Sequence, residues 1–178
     1  MIYISVFGQW KPSMQTLSFI LVAAPLSFIF GLSLGIMAYK SKRVEKVLHP
    51  LLLVMQTMPQ YAVLVPAMVL FGIGDHAAVI ITMVVAIPPM ILLTLLGLRG
   101  VSPEVIEAGK MSGCNNWQLM LKVLIPTARR DILIGVNQVI MVCFSMAVIA
   151  AFIGAKGLGW NLLLALNQLN IGLALEAG

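Results

Sequence analysis

Few residues in this chain could do chemistry, and those few are badly spaced for it. His49 and His76 have no ligand-spaced Cys, His or carboxylate beside them, so each reads as an interfacial or loop residue and no metal site is expected. Cys114 falls in a long polar connection and Cys143 deep in an apolar run, which argues against a disulfide. No nucleophile–base pair stands out, and there is no phosphate loop of the form GxxxxGK[ST]. The expectation is a chain without a catalytic residue and without a cofactor of its own.

The chemistry left is that of polar groups beside weak points in an apolar backbone. Gln56, Thr57 and Gln60 flank Pro59, and Pro88-Pro89 sits midway along another apolar run. Proline removes a helix hydrogen bond, and in a membrane the freed carbonyls must be covered by protein or line a cavity. Paired interruptions of this kind mark binding regions in many transporters. Gln56, Thr57, Pro59, Pro88, Pro89 and Ser145 are therefore candidate lining for a solute path. Ordinary hydrogen bonding between packed helices is the alternative. Both proline sites predict broken helices.

The elements that must hold these residues are membrane spans. Apolar residues make up 61% of the 178 and charged ones 10%, against about 25% in a soluble domain. Residues 12–39, 47–74, 77–98 and 132–155 contain no Asp, Glu, Lys or Arg, and roughly 20 apolar residues cross a bilayer as helix. A fifth stretch, 157–175, is borderline because Asn161, Asn167, Gln168 and Asn170 interrupt it. No run carries the ionisable relay of a proton- or sodium-coupled pump, so an energy source would lie elsewhere. Gly31 and Gly35 form a small-xxx-small pair, suited to close helix approach or merely typical of a glycine-rich span. Four scattered aromatics, Tyr61, Phe71, Phe144 and Phe152, offer no box for an ammonium group.

The net charge of +5 is explained by membrane orientation rather than by nucleic acid. Lys40, Lys42, Arg43 and Lys46 share one connection, and Arg99, Lys110, Lys122, Arg129 and Arg130 another, while 72–76 carries Asp75 and no cation. Basic loops face the cytoplasm. The N-terminus is expected outside, 40–46 inside, 72–76 outside, 99–131 inside, and 154 onward outside. Met1 to Gln9 lacks the basic start and small-residue site of a cleavable signal. The chain ends just after Glu176 with no cytoplasmic tail, which reads as a sequence cut short.

Residues 99–131 are too long for a plain connection and read as two short helices. Ser102 suits an N-cap, Pro103 the first helical position and Glu104 the positive end of the dipole. Gly113 is placed for a left-handed cap. Asn115 or Asn116 can cap a second helix, expected to stop before Pro126. Val105, Ala108, Gly109 and Ser112 share one small-residue face, and Glu104, Glu107 and Met111 another. An amphipathic helix on lipid would prefer large apolar residues and many cations, so a docking face for a protein partner fits better.

Here the residues carry a resemblance. Glu107-Ala108-Gly109, Gly113 after three residues, and Val123-Leu124-Ile125-Pro126 after nine more resemble the cytoplasmic "EAA" motif of importer-type ABC transporter permeases. Gly109 replaces the second Ala, a change that loosens a helix by about 1 kcal/mol. Val123 and Ile125 are aliphatic exchanges. The stretches "MQTMPQYAVLVPAMVLFGIG", "AIPPMILLTLLGL", "GVNQVIMVCFSMAVIAAFIGAKGLG" and "LNIGLALEAG" are similar to permeases for glycine betaine, proline and related compatible solutes.

That resemblance implies an all-α, polytopic transmembrane helical bundle of the type I importer kind. It would form one permease domain over 1–178 with a cytoplasmic coupling segment at 99–131, and a further membrane helix beyond Gly178. It also implies two permease copies in a bacterial or archaeal cytoplasmic membrane, a cytoplasmic ABC ATPase dimer that holds ATP and Mg, and an extracytoplasmic solute-binding protein. Glu107, Ala108, Gly109, Gly113 and Pro126 would be coupling residues. The expected function is import of glycine betaine or a related methylated amine. A permease for another small solute such as methionine is the alternative, and a passive channel would leave the coupling segment unexplained.

Overall fold

A long stretch without charge can satisfy its backbone in lipid within itself only as a helix. The computed structural model describes residues 10–170 together with 172, 174 and 175, and these are helical almost throughout. The readings of Met1 to Gln9 and of the end at Glu176 lie outside the described residues.

Helix α1 spans Trp10–Lys40, α2 Lys42–Thr57, α3 Leu64–Phe71 and α4 Asp75–Arg99. The long connection after Arg99 holds α5, Pro103–Met111, and a second helix built as α6 Asn116–Gln118, a π-helical turn Leu119–Leu124 and α7 Ile125–Thr127. Helix α8 covers Arg129–Ile149, a 3-10 turn follows at Ala150–Ile153, and α9 spans Leu158–Asn167. Among the described residues, α1, α4 and α8 with its 3-10 turn are long and apolar enough to cross a membrane. The bent pair α2 and Gln60–Phe71 makes a fourth span if taken as one. Helix α9, at ten residues, is shorter than the ~20 a crossing needs, so it does not by itself carry the borderline fifth stretch across.

Two of the sequence expectations about proline differ from what is observed. Pro59 does break its helix: α2 ends at Thr57 and a 3-10 turn, Gln60–Val63, restarts the chain. Pro88 and Pro89, however, lie inside a continuous α4. The difference is packing. Met58 and Pro59 are exposed, so nothing there replaces the lost bonds, whereas Pro88 is buried. Directly after it, α4 is gripped on two sides. A Cβ built at Gly31 of α1 would stand 2.6 Å from Met90 Cβ, one at Gly35 2.7 Å from Thr94 Cβ, and one at Gly135 of α8 2.8 Å from Met90 Sδ. The glycine pair of α1 is thus a close-approach surface for α4 of the same chain, where van der Waals contact does the work that water exclusion does elsewhere. Pro126 likewise does not stop its helix. The turn before it widens to a π pattern, with Ile125 N–H donating to Met120 O. Widening carries the helix past a residue that has no N–H to give.

The chain packs as two compact units, one made of the chain up to Leu26, Met58–Ala86 and the part from Ile140 on, the other of Ser27–Thr57 and Ile87–Val139. In the first, Asp75 Oδ1 accepts the Lys156 N–H at 2.9 Å, Thr16 Oγ1 accepts the Leu158 N–H at 2.9 Å, and Gly74 N–H donates to Ile153 O at 2.9 Å. In the second, Arg99 pairs with Glu45, and the Lys40 ammonium lies 4.3 Å from the ring centroid of Trp117. Asp75 and Arg99 are the two ends of one helix of 25 residues, about 37 Å at 1.5 Å per residue.

Candidate coupling surface and solute path

The candidate coupling segment is shaped by its caps. Helix α5 begins after Ser102, whose backbone is extended (φ −62°, ψ 145°), with Pro103 at the first position. Ser102 does not cap the helix with its hydroxyl. Its hydrogen bond goes to the Glu104 carboxylate, which is held below the usual carboxylate range first by its own backbone N–H and then by that hydroxyl. The far end closes at Gly113, φ +78°. Gly113 N–H donates to Lys110 O at 3.0 Å and Cys114 N–H to Gly109 O at 3.3 Å, the two bonds of a Schellman cap. Of the two asparagines, Asn115 caps the second helix. Its Oδ1 accepts from Trp117 and Gln118 N–H at 2.9 Å each, and Gln118 Oε1 accepts the Asn115 N–H at 3.0 Å, a capping box.

These caps divide the motif residues by role. Glu107, Ala108 and Lys110 are exposed on α5, as is Ser112 just past its end, and Met111 is 89% exposed. Gly109 is buried instead. A Cβ there would stand 2.7 Å from Leu119 Cδ1 and 3.2 Å from Val123 Cγ2. The small-residue face expected to receive a partner is therefore split, because Gly109 admits the chain's own second helix while Ala108 and Ser112 stay open. Pro126 lies in α7 and is exposed.

Beside this segment, a recess of about 410 Å³ is lined by Lys42, Glu45, Lys46, His49, Pro50 and Arg99. In the other unit, a smaller recess of about 200 Å³ is lined by residues that include Gln15, Phe19, Asp75 and Lys156. His49 thus belongs to a cationic rim, and among the described residues no three His, Cys, Asp or Glu gather as metal ligands.

The candidate path residues are less concentrated than their sequence positions implied. Gln56, Thr57 and Pro59 are exposed around the break after α2, but Thr57 Oγ1 donates to Val54 O at 3.0 Å. Ser145, also exposed, donates to Met141 O at 3.1 Å. Both hydroxyls are occupied by their own helices. Pro88 is buried and Pro89 half-buried within α4. Sequence reasoning passed over one pairing here. Tyr61 and Phe152 meet edge to face, with centroids 5.9 Å apart and planes at 82°.

Residues 27–177 match the family model described as binding-protein-dependent transport system inner membrane component. The chain belongs to that family. Its long apolar helices are in keeping with that description. It is 90% identical over 178 residues to a trimethylamine N-oxide transport system permease protein (TmoV) of Pelagibacter ubique, covering 100% of this chain and 25% of that protein. It is 41% identical over 178 residues to the glycine betaine/proline betaine transport system permease protein (ProW) of Escherichia coli, covering 100% of this chain and 50% of that one. The chain thus spans a quarter to a half of the length of these relatives. An inward-facing structure of the MetNI methionine ABC transporter shares the fold, with TM-score 0.81 and 21% identity over 92% of this chain and 83% of that one.

Proposed function

We propose that this chain supplies the membrane path of an ATP-driven importer for a methylated-amine osmolyte, trimethylamine N-oxide or glycine betaine, and couples that path to a separate ATPase. The observation that carries the reading is the doubly capped coupling segment. Glu107, Ala108 and Met111 stand open on a short helix that Gly109, Gly113 and the Asn115–Gln118 box hold rigidly against the chain's own second helix. A rigid, exposed helix with mixed charge suits docking into a protein cleft. The solutes for which the sequence relatives are named, trimethylamine N-oxide and glycine betaine, support the methylated-amine class.

On this reading ATP and Mg are held by a cytoplasmic ATPase dimer, and hydrolysis happens there. An extracytoplasmic binding protein delivers the solute and a second permease copy completes the path. Lipid surrounds the assembly, and no nucleic acid is involved. Glu107 and Ala108 touch the ATPase. Gly109, Gly113 and Pro126 set the shape that presents them. Methionine import rests on fold likeness alone, which speaks to architecture and not to solute. A passive channel has no use for the coupling segment.

The test is reconstitution in liposomes of the permease with its ATPase and binding protein, measuring ATP-dependent uptake of trimethylamine N-oxide, glycine betaine, choline, proline and methionine. Uptake of the methylated amines is expected. Uptake of methionine with the methylated amines inert overturns the assignment.

A further inference from the structure

Tyr61 and Phe152 are far apart in sequence, and nothing in the pattern of either span joins them. In the fold each sits in a 3-10 turn where a spanning helix changes form, Tyr61 in Gln60–Val63 and Phe152 in Ala150–Ile153. Their planes stand at 82° with centroids 5.9 Å apart, so the two rings make a corner rather than a stack. Both residues remain open, 58% and 55% exposed, in segments with no Asp, Glu, Lys or Arg from 47 to 74 or from 132 to 155. The corner lies toward the end of the spans where Asp75, Lys156 and Thr16 gather, since Ile153, next to Phe152, takes the Gly74 N–H. That is the end expected to face outside.

A methylated ammonium carries positive charge on methyl groups and offers no N–H. Hydrogen-bond acceptors serve it poorly, and the negative faces of aromatic rings serve it well. A carboxylate at such a point would hold the cation and slow its release. Two perpendicular rings without a carboxylate attract it and let it go.

We propose that the Tyr61–Phe152 corner is a low-affinity subsite for the methylated-ammonium end of the solute at the outer part of the permease path. The inference rests on the proposed function and adds the place and the means of recognition. Two walls rather than a closed cage make the site weak, which suits a conduit fed by a binding protein.

The experiment has two arms. In the first, the permease alone in nanodiscs free of choline lipids is probed by saturation-transfer NMR with choline and with its uncharged isostere 3,3-dimethylbutan-1-ol. The subsite predicts a signal for choline and a much weaker one for the isostere. Equal signals overturn the proposal, and this arm needs no variant. In the second, the full transporter in liposomes carries Tyr61→Leu, Phe152→Leu or Tyr61→Phe. Each leucine variant is expected to raise KM for uptake roughly two- to fivefold, the worth of one exposed cation–π contact, with kcat unchanged. Tyr61→Phe is expected to match the wild type. Unchanged KM in both leucine variants while the wild type imports methylated amines means that the rings face lipid, which overturns the subsite and leaves the proposed function standing. No uptake of any methylated amine by the wild type fells the proposed function, and the subsite with it.

Discussion

Cys114 donates its backbone N–H to the carbonyl oxygen of Gly109 at 3.3 Å, and with the Gly113 N–H on Lys110 O it closes the C-terminus of α5. The closure needs the positive φ of Gly113. No atom lies within 4 Å of a Cβ placed there, so a side chain at 113 meets backbone strain and not a collision within the chain.

The first prediction follows from that strain. Gly113→Leu costs about 1–2 kcal/mol in the left-handed region, enough to fray the last turn of α5 and move Met111 and Lys110. The variant is expected to insert and assemble as a bundle yet lose most ATP-driven uptake. Gly113→Asn, a residue that tolerates this conformation, keeps most of it. Glu107→Ala is expected to weaken co-purification of the ATPase without changing insertion. Wild-type uptake in Gly113→Leu together with undiminished co-purification in Glu107→Ala would remove the docking role.

The glycine contacts of α1 supply a second prediction. A Cβ at Gly35 would stand 2.7 Å from Thr94 Cβ and 3.1 Å from Ile91 O, atoms that move only if the helices part. Gly35→Ala is expected to destabilise the bundle by about 1–3 kcal/mol, the usual cost of overpacking, and Gly35→Leu to prevent assembly. Unfolding in denaturing detergent reads the difference. A Gly35→Leu protein as stable as the wild type would mean that α1 and α4 do not meet here.

Sidedness gives the third. On a background lacking Cys114 and Cys143, a single cysteine at Asp75 is expected to react in intact cells with an impermeant maleimide. Cysteines at Lys42 and Lys110 react only after permeabilisation. The contacts Arg99–Glu45 and Asp75–Lys156 fix which segments share a side, and the cationic loops fix which side it is. Labelling at Asp75 only after permeabilisation inverts the assignment.

What was legible in the sequence, and what was not, follows from how local each cause is. Absence of charge located α1, α4 and α8 because the bilayer acts on every residue of a run alike. The cap at Gly113 was legible because a left-handed residue is a local demand that glycine meets. The prolines were ambiguous because a lost hydrogen bond breaks a helix only where nothing else holds it. Pro59, exposed, broke its helix, while Pro88, buried behind the Gly31, Gly35 and Gly135 contacts, did not. Gly109 looked like part of an open face, yet its partner, Leu119, lies within the chain. That contact depends on how two short helices fold back on each other, which spacing along one helix does not reveal. Tyr61 and Phe152 were passed over for the same reason at longer range.

The last prediction concerns how the proposed coupling segment is tied to the spans. Lys40, in the last turn of α1, holds its ammonium 4.3 Å from the ring centroid of Trp117, which opens the second coupling helix through the Asn115 cap. Both residues are exposed, so the contact contributes about 0.5–1 kcal/mol, too little to decide folding but enough to bias a small displacement of the segment against α1. If nucleotide-driven motion passes through this contact, removing it should waste ATP rather than unfold the protein. Trp117→Ala is expected to leave ATPase activity of the assembled transporter near normal while lowering the solute moved per ATP two- to fivefold, the same free energy expressed as a ratio. Trp117→Phe, which keeps a ring face under the ammonium, and Lys40→Arg, which keeps the cation, are each expected to restore most of the ratio. Simultaneous measurement of uptake and phosphate release in liposomes reads it. An unchanged ratio in Trp117→Ala, or an equal loss in Trp117→Phe and Trp117→Ala, would show that α1 is not driven through this contact.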